Sequence, residues 1–96
     1  MAHRADQISA WRAAGQALGV EVIAPCRIIL TDGSALDVTA LVKIGPPRGM
    51  VVDPDWTVLE PHADRLIADG FGFSAVTIDG EPEDLVDVLE DWGWSP

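Results

Sequence analysis

CRIILTDGSALDVTALVKI, residues 26–44, decides the fold. Asp32-Gly33 separates two β-prone runs, a strong short-range hairpin signal. A two-residue type I′ turn is expected there, with positive φ at both positions. In the second run Leu36, Val38, Ala40, Val42 and Ile44 alternate with Asp37, Thr39 and Lys43. Period-two alternation of this kind gives a strand with one buried face and one largely wet face. Upstream, Pro25 breaks any continuous strand. Downstream, GPPRG (45–49) makes a turn and MVVD (50–53) a third short strand, so an antiparallel meander is expected.

Helical periodicity flanks this meander. Ile8, Trp11, Gly15 and Leu18, with Ala14 beside them, follow helical spacing from Asp6 to Leu18. Asp6 suits the N-cap and Gly19 the C′ position. Pro54 ends the third strand, and DWTVLE (55–60) fits either more sheet or irregular chain. Pro61 opens a second helix running to Asp69, with Ala63, Leu66 and Ile67 inward and Gly70 closing it. FGFSAVTI (71–78) reads as a fourth strand, Asp79-Gly80 as a turn, and Pro82 to Gly93 as the last helix. The expectation is a single α+β domain over 1–96, in the order α-β-β-β-α-β-α. About four mainly antiparallel strands form the sheet, with helices packed on one face.

Six basic and sixteen acidic side chains give a net charge of −10. Nucleic acid and anionic membrane surfaces are therefore disfavoured as partners, since both are captured by Lys and Arg. The imbalance lies in one half of the chain. Residues 1–48 carry five basic and four acidic groups, whereas residues 49–96 carry one basic and twelve acidic. With one cysteine no internal disulfide can form, and the first residues lack the apolar core of a signal peptide, so a cytoplasmic location is expected. The absence of Asn and Tyr, with five Arg to one Lys, points to a GC-rich bacterial genome.

The last helix is the most one-sided element. At 100° per residue, Val88, Leu89 and Trp92 fall within about 60° of Leu85, while Glu83, Asp84, Asp87, Glu90 and Asp91 occupy roughly 140–260°. The acid either keeps a small domain soluble or receives a basic protein partner. On the second reading the contact residues are Asp84, Asp87, Glu90, Asp91 and Trp94, with Asp53, Asp55 and Trp56 as a second edge. A compact scaffold with an acid face is, by analogy alone, the plan of small acidic inhibitors and immunity-type proteins. Two alternatives stand beside this one. One is a homodimer or assembly subunit joined through a strand edge or Trp56. The other is a small enzyme or ligand-binding domain with a pocket lined by Trp11, Trp56 or Phe73.

No local residue pattern points to catalysis or metal binding. Cys26 and His62 have no local context for nucleophile and base, and Cys26 reads as an inert core thiol. GFSAV (72–76) lacks the second glycine of a nucleophile elbow. In GPPRG, Pro46 and Pro47 offer no N–H to a phosphate. Asp53 with Asp55, and Asp79, Glu81, Glu83 with Asp84, lack calcium-loop spacing. No catalytic residue, metal ligand or cofactor is expected.

Overall fold

A computed structural model describes residues 4–45, 47–79 and 81–94. The elements are α1 (Arg4–Leu18), β1 (Val22–Ile23), β2 (Cys26–Ile29), β3 (Ala35–Val38), β4 (Ala40–Val42), β5 (Met50–Val52), α2 (Trp56–Leu59), a 3-10 turn (Glu60–His62), α3 (Ala63–Ala68), β6 (Gly72–Ser74) and α4 (Pro82–Asp91). Taken as strand stretches and helical stretches, this is the expected α+β order. Gly80 of the expected Asp79-Gly80 turn, Pro46 of GPPRG and His3 lie outside the described residues.

Residues 22–29 and 35–42 form one long antiparallel ribbon. Val22 faces Val42, Ile23 faces Leu41, and the same register resumes with Cys26 opposite Val38 and continues to Ile29 opposite Ala35. The tip differs from the type I′ expectation. Gly33 N–H donates to Leu30 O at 2.9 Å and Leu30 N–H to Ser34 O at 2.9 Å. Only Gly33 of the loop has positive φ, at 91°. This is a three-residue loop with a glycine bulge, a common hairpin alternative. Asp32 Oδ1 fixes it by accepting from the Ser34 N–H (3.0 Å) and Oγ (2.6 Å).

The ribbon turns over where Pro25 lies opposite Thr39. Before the break Val22, Ala24, Ala40 and Val42 face a core with Trp11, Leu85 and Leu89. Beyond it Cys26, Ile28, Leu36 and Val38 face a second core with Leu59, Leu66 and Phe71. Even-numbered residues thus serve both cores, which a flat ribbon would not permit. Pro25 has no N–H, so the ladder is interrupted at this point.

A mixed four-stranded sheet, β1-β4-β5-β6, lies between the two cores. β4 pairs antiparallel with β1 and β5, while β6 adds parallel to β5. Val51 and Val52 are both fully buried, one in each core. Neighbouring side chains on a strand point to opposite faces. Helices therefore cover both faces: α1 and α4 one, the α2–α3 segment and the far end of the ribbon the other. The expected one-face packing does not hold, because β5 is apolar on both sides.

Several boundaries move. Asp6 lies in the first turn of α1, which includes Arg4, and not at its N-cap. The ambiguous DWTVLE stretch is helical, because Asp55 caps α2 by accepting from the Thr57 N–H (3.0 Å) and Oγ1 (2.6 Å). Pro61 falls in the first positions of the 3-10 turn, where its missing N–H costs little. The fourth strand ends at Ser74. Beyond it the chain is held by Gln7, whose Nε2 donates to Ile78 O (2.7 Å) while its Oε1 accepts from Ile78 N–H (3.0 Å).

Candidate functional site: the acidic face of helix α4

Leu85 and Leu89 of α4 are fully buried, and Val88 and Trp92 pack against the same core. The Trp92 ring stacks on Trp11 with centroids 6.3 Å apart and planes 6° from parallel. Pro82 stands at the start, and Asp84 reaches back to accept from the Asp79 N–H at 3.0 Å. At the far end Gly93 N–H donates to Glu90 O (3.0 Å) and Trp94 N–H to Leu89 O (2.9 Å). Gly93 has φ 89°, which completes a Schellman cap.

The opposite face carries acid alone. Glu83, Asp87, Glu90 and Asp91 are exposed and Asp84 is half-buried. The ion pairs among the described residues lie elsewhere: Arg4 with Asp53, Arg27 with Asp37, and Arg65 with Asp69. No described cation comes within pairing distance of a carboxylate on α4. Four like-charge contacts at i,i+3 and i,i+4 meet at Asp87, at roughly 0.2–0.5 kcal/mol each. Glu90 and Asp91 also sit at the helix end where the dipole disfavours anions. Burial of Leu85 and Leu89, at about 1.5–3 kcal/mol apiece, holds the helix in place regardless.

The structure brings Asp84, Asp87, Glu90 and Asp91 together on one helix, but separates the other candidates. Trp94 is folded back, half-buried against the core rather than projecting. Asp53 is 0% exposed and so takes no part in any surface. Its Oδ2 accepts from the Thr39 N–H (3.1 Å) and Oγ1 (3.2 Å) and pairs with Arg4 at 2.9 Å; its Oδ1 accepts from the Asp55 N–H at 3.0 Å. The carboxylate satisfies the Thr39 donor at the break in the ribbon. Asp55 is exposed but occupied as the α2 cap, and its hydrogen bonds from Thr57 hold its pKa below the ordinary carboxylate value. Trp56 is 44% exposed, its ring tilted 34° against Phe73 at 5.5 Å. Cys26 is half-buried, and burial raises its thiol pKa, partly offset by Lys43.

Sequence reasoning missed a second charged surface. Arg27, Lys43 and Arg48 line one trough with Ile23, Leu41 and Phe71. Arg27 is 16 residues from Lys43 and 21 from Arg48, and only the fold sets it beside them. No family model, curated protein or solved structure matches the chain.

Proposed function

We propose that this is a small acidic, non-catalytic protein-binding module that docks a basic partner through α4, in the manner of an inhibitor or immunity-type protein. The observation that supports this most is the absence of any described internal counter-charge on the face of Glu83, Asp87, Glu90 and Asp91. The fold spends Arg4, Arg27 and Arg65 on Asp53, Asp37 and Asp69, and leaves the α4 repulsion standing. Lys and Arg groups of a partner would relieve that repulsion and gain a steered encounter. The contact set is Asp84, Asp87, Glu90 and Asp91, with Asp55 and Trp56 available at a second position.

The test is affinity capture from the source cell extract, with the wild-type chain and an Asp87→Lys/Asp91→Lys variant as parallel baits. Expected are strongly basic proteins on the wild type, released as salt shortens the Debye length and missing from the variant. The same proteins retained by both baits would remove α4 as the contact.

A further inference from the structure

The trough noted above has a volume of about 580 Å³, within the usual range of binding clefts. Every residue from Pro25 to Ile29 lines it. Consecutive residues of a strand point to opposite faces, so a cavity touching all of them runs along the strand's edge. The inner edge of β2 is taken by β3, and no strand pairs with its outer edge among the described residues. The Leu30–Ser34 bond sets the alternation. Leu30, Ile28 and Cys26 direct their main-chain groups toward β3, and Arg27 and Ile29 direct theirs into the trough. Ile29 is 62% exposed and Ile23 42%.

The facing wall is cationic. Arg48 lies over the Phe71 ring, 4.5 Å from its centroid, and donates to the Asp69 main-chain O at 3.5 Å, close enough to be felt by the Asp69 carboxylate, but neither Arg48 nor Lys43 comes within ion-pairing distance of a described carboxylate. Arg27 is held by Asp37 on the adjacent strand, at 2.8 and 3.2 Å. Three of the six basic residues therefore line this trough, and no acidic residue does.

We infer that the outer edge of β2 is a docking site for an extended acidic peptide segment of a partner protein, which adds as a strand beside Arg27–Ile29. Main-chain bonds to Arg27 and Ile29 give the affinity, Ile23, Leu41 and Phe71 receive apolar side chains, and Lys43 and Arg48 select acid. A symmetric pair of copies is disfavoured here, because it would bring two sets of these cations together. The site is separate from α4 and opposite to it in sign.

The probe is an end-blocked octapeptide alternating valine and glutamate, titrated into the full isotope-labelled chain and followed by amide NMR. Expected are shifts at Arg27 and Ile29 and exchange at both amides slowed about tenfold or more at saturation. Ile29→Pro removes one outward N–H and leaves the β3 pairing intact; Lys43→Glu reverses one wall charge at an exposed position. Each should weaken binding by about tenfold, the equivalent of one lost charge-assisted or main-chain bond. If Ile29→Pro fails to fold by circular dichroism, Lys43→Glu decides. Four results overturn the inference: no shifts at millimolar peptide; equal binding of a valine–lysine octapeptide; decanoate binding in the trough with the peptide excluded from the β2 amides; or protection of the same amides by self-association without peptide.

Discussion

Gln7 and Ile78, 71 residues apart, exchange two hydrogen bonds of 2.7 and 3.0 Å, as paired strands do. The Gln7 carboxamide replaces a missing strand neighbour and ties α1 to the segment entering α4. Both groups are buried. Gln7→Ala leaves a buried N–H and a buried C=O unpaired, at about 1–3 kcal/mol each. A loss of about 2–4 kcal/mol is expected in urea unfolding, and a change below 0.5 kcal/mol would show that water replaces the amide.

Asp53 and Arg4 form an unequal pair. Arg4 is 43% exposed and Asp53 0%. Asp53→Ala strands the Thr39 and Asp55 donors and should cost about 3–5 kcal/mol. Arg4→Ala leaves the carboxylate hydrogen-bonded to those donors and should cost about 1–2 kcal/mol. Equal losses in chemical denaturation would contradict this asymmetry.

Gly15 sits in α1, where alanine would ordinarily gain about 1 kcal/mol of helix propensity. A Cβ there would lie 2.6 Å from Val22 Cγ2 and 3.0 Å from Val20 O. Overpacking of this kind costs about 1–3 kcal/mol, so Gly15→Ala should lower stability on balance. A raised melting temperature would mean that β1 shifts freely.

Thr31 donates to Asp69 through its N–H (2.9 Å) and its Oγ1 (2.7 Å), linking the ribbon tip to the end of α3. These bonds hold the Asp69 pKa below its ordinary value, helped by Arg65 and Arg48. A depressed acid pKa stabilises above the unfolded value, near 3.9, and the contribution is lost as pH falls through the folded value. Thr31→Val, which removes the Oγ1 bond, should therefore be less stable than wild type at pH 7, with the gap closing in strong acid. Urea midpoints at both ends of that range measure it; a gap constant with pH would exclude the linkage.

Asp87 meets Glu83, Asp84, Glu90 and Asp91 at helical neighbour spacings. Asp87→Lys turns four repulsions into attractions and should raise stability by about 1–3 kcal/mol at low salt. The gain should shrink in high salt. The same change weakens capture of a basic partner under the proposed function. Unchanged stability at low ionic strength would show that the α4 acids are already screened from one another.

Local signals carried α1, α4 with its acid stripe, the hairpin and the order of the elements, because each rests on periodicity or a turn residue within a few positions, whereas α2 and the early end of the last strand were not legible. The glycine bulge was not legible, since Asp32-Gly33 fits two-residue and three-residue loops alike. Asp53 read as a surface acid because its role depends on Thr39 and Arg4, which only the folded chain brings near. Trp94 reads as a contact residue from its position past Gly93, because the cap that folds it back, with its N–H on Leu89 O, appears only in the folded chain. The Arg27, Lys43 and Arg48 trough depends on the ribbon turning over at Pro25 and Thr39, and no spacing rule encodes a change of face. Packing on both sides of β5 was written in Met50-Val51-Val52, a run without alternation, but three residues are too few to read it.

Residues 35–42 form a continuous stretch in which Leu36, Val38 and Leu41 fill one core and Ala40 and Val42 the other. Peeling either helical layer away would pull on the shared strand and uncover the opposite side. Such a chain cannot melt layer by layer. Heat should remove both halves in one cooperative transition, with calorimetric and van't Hoff enthalpies in agreement.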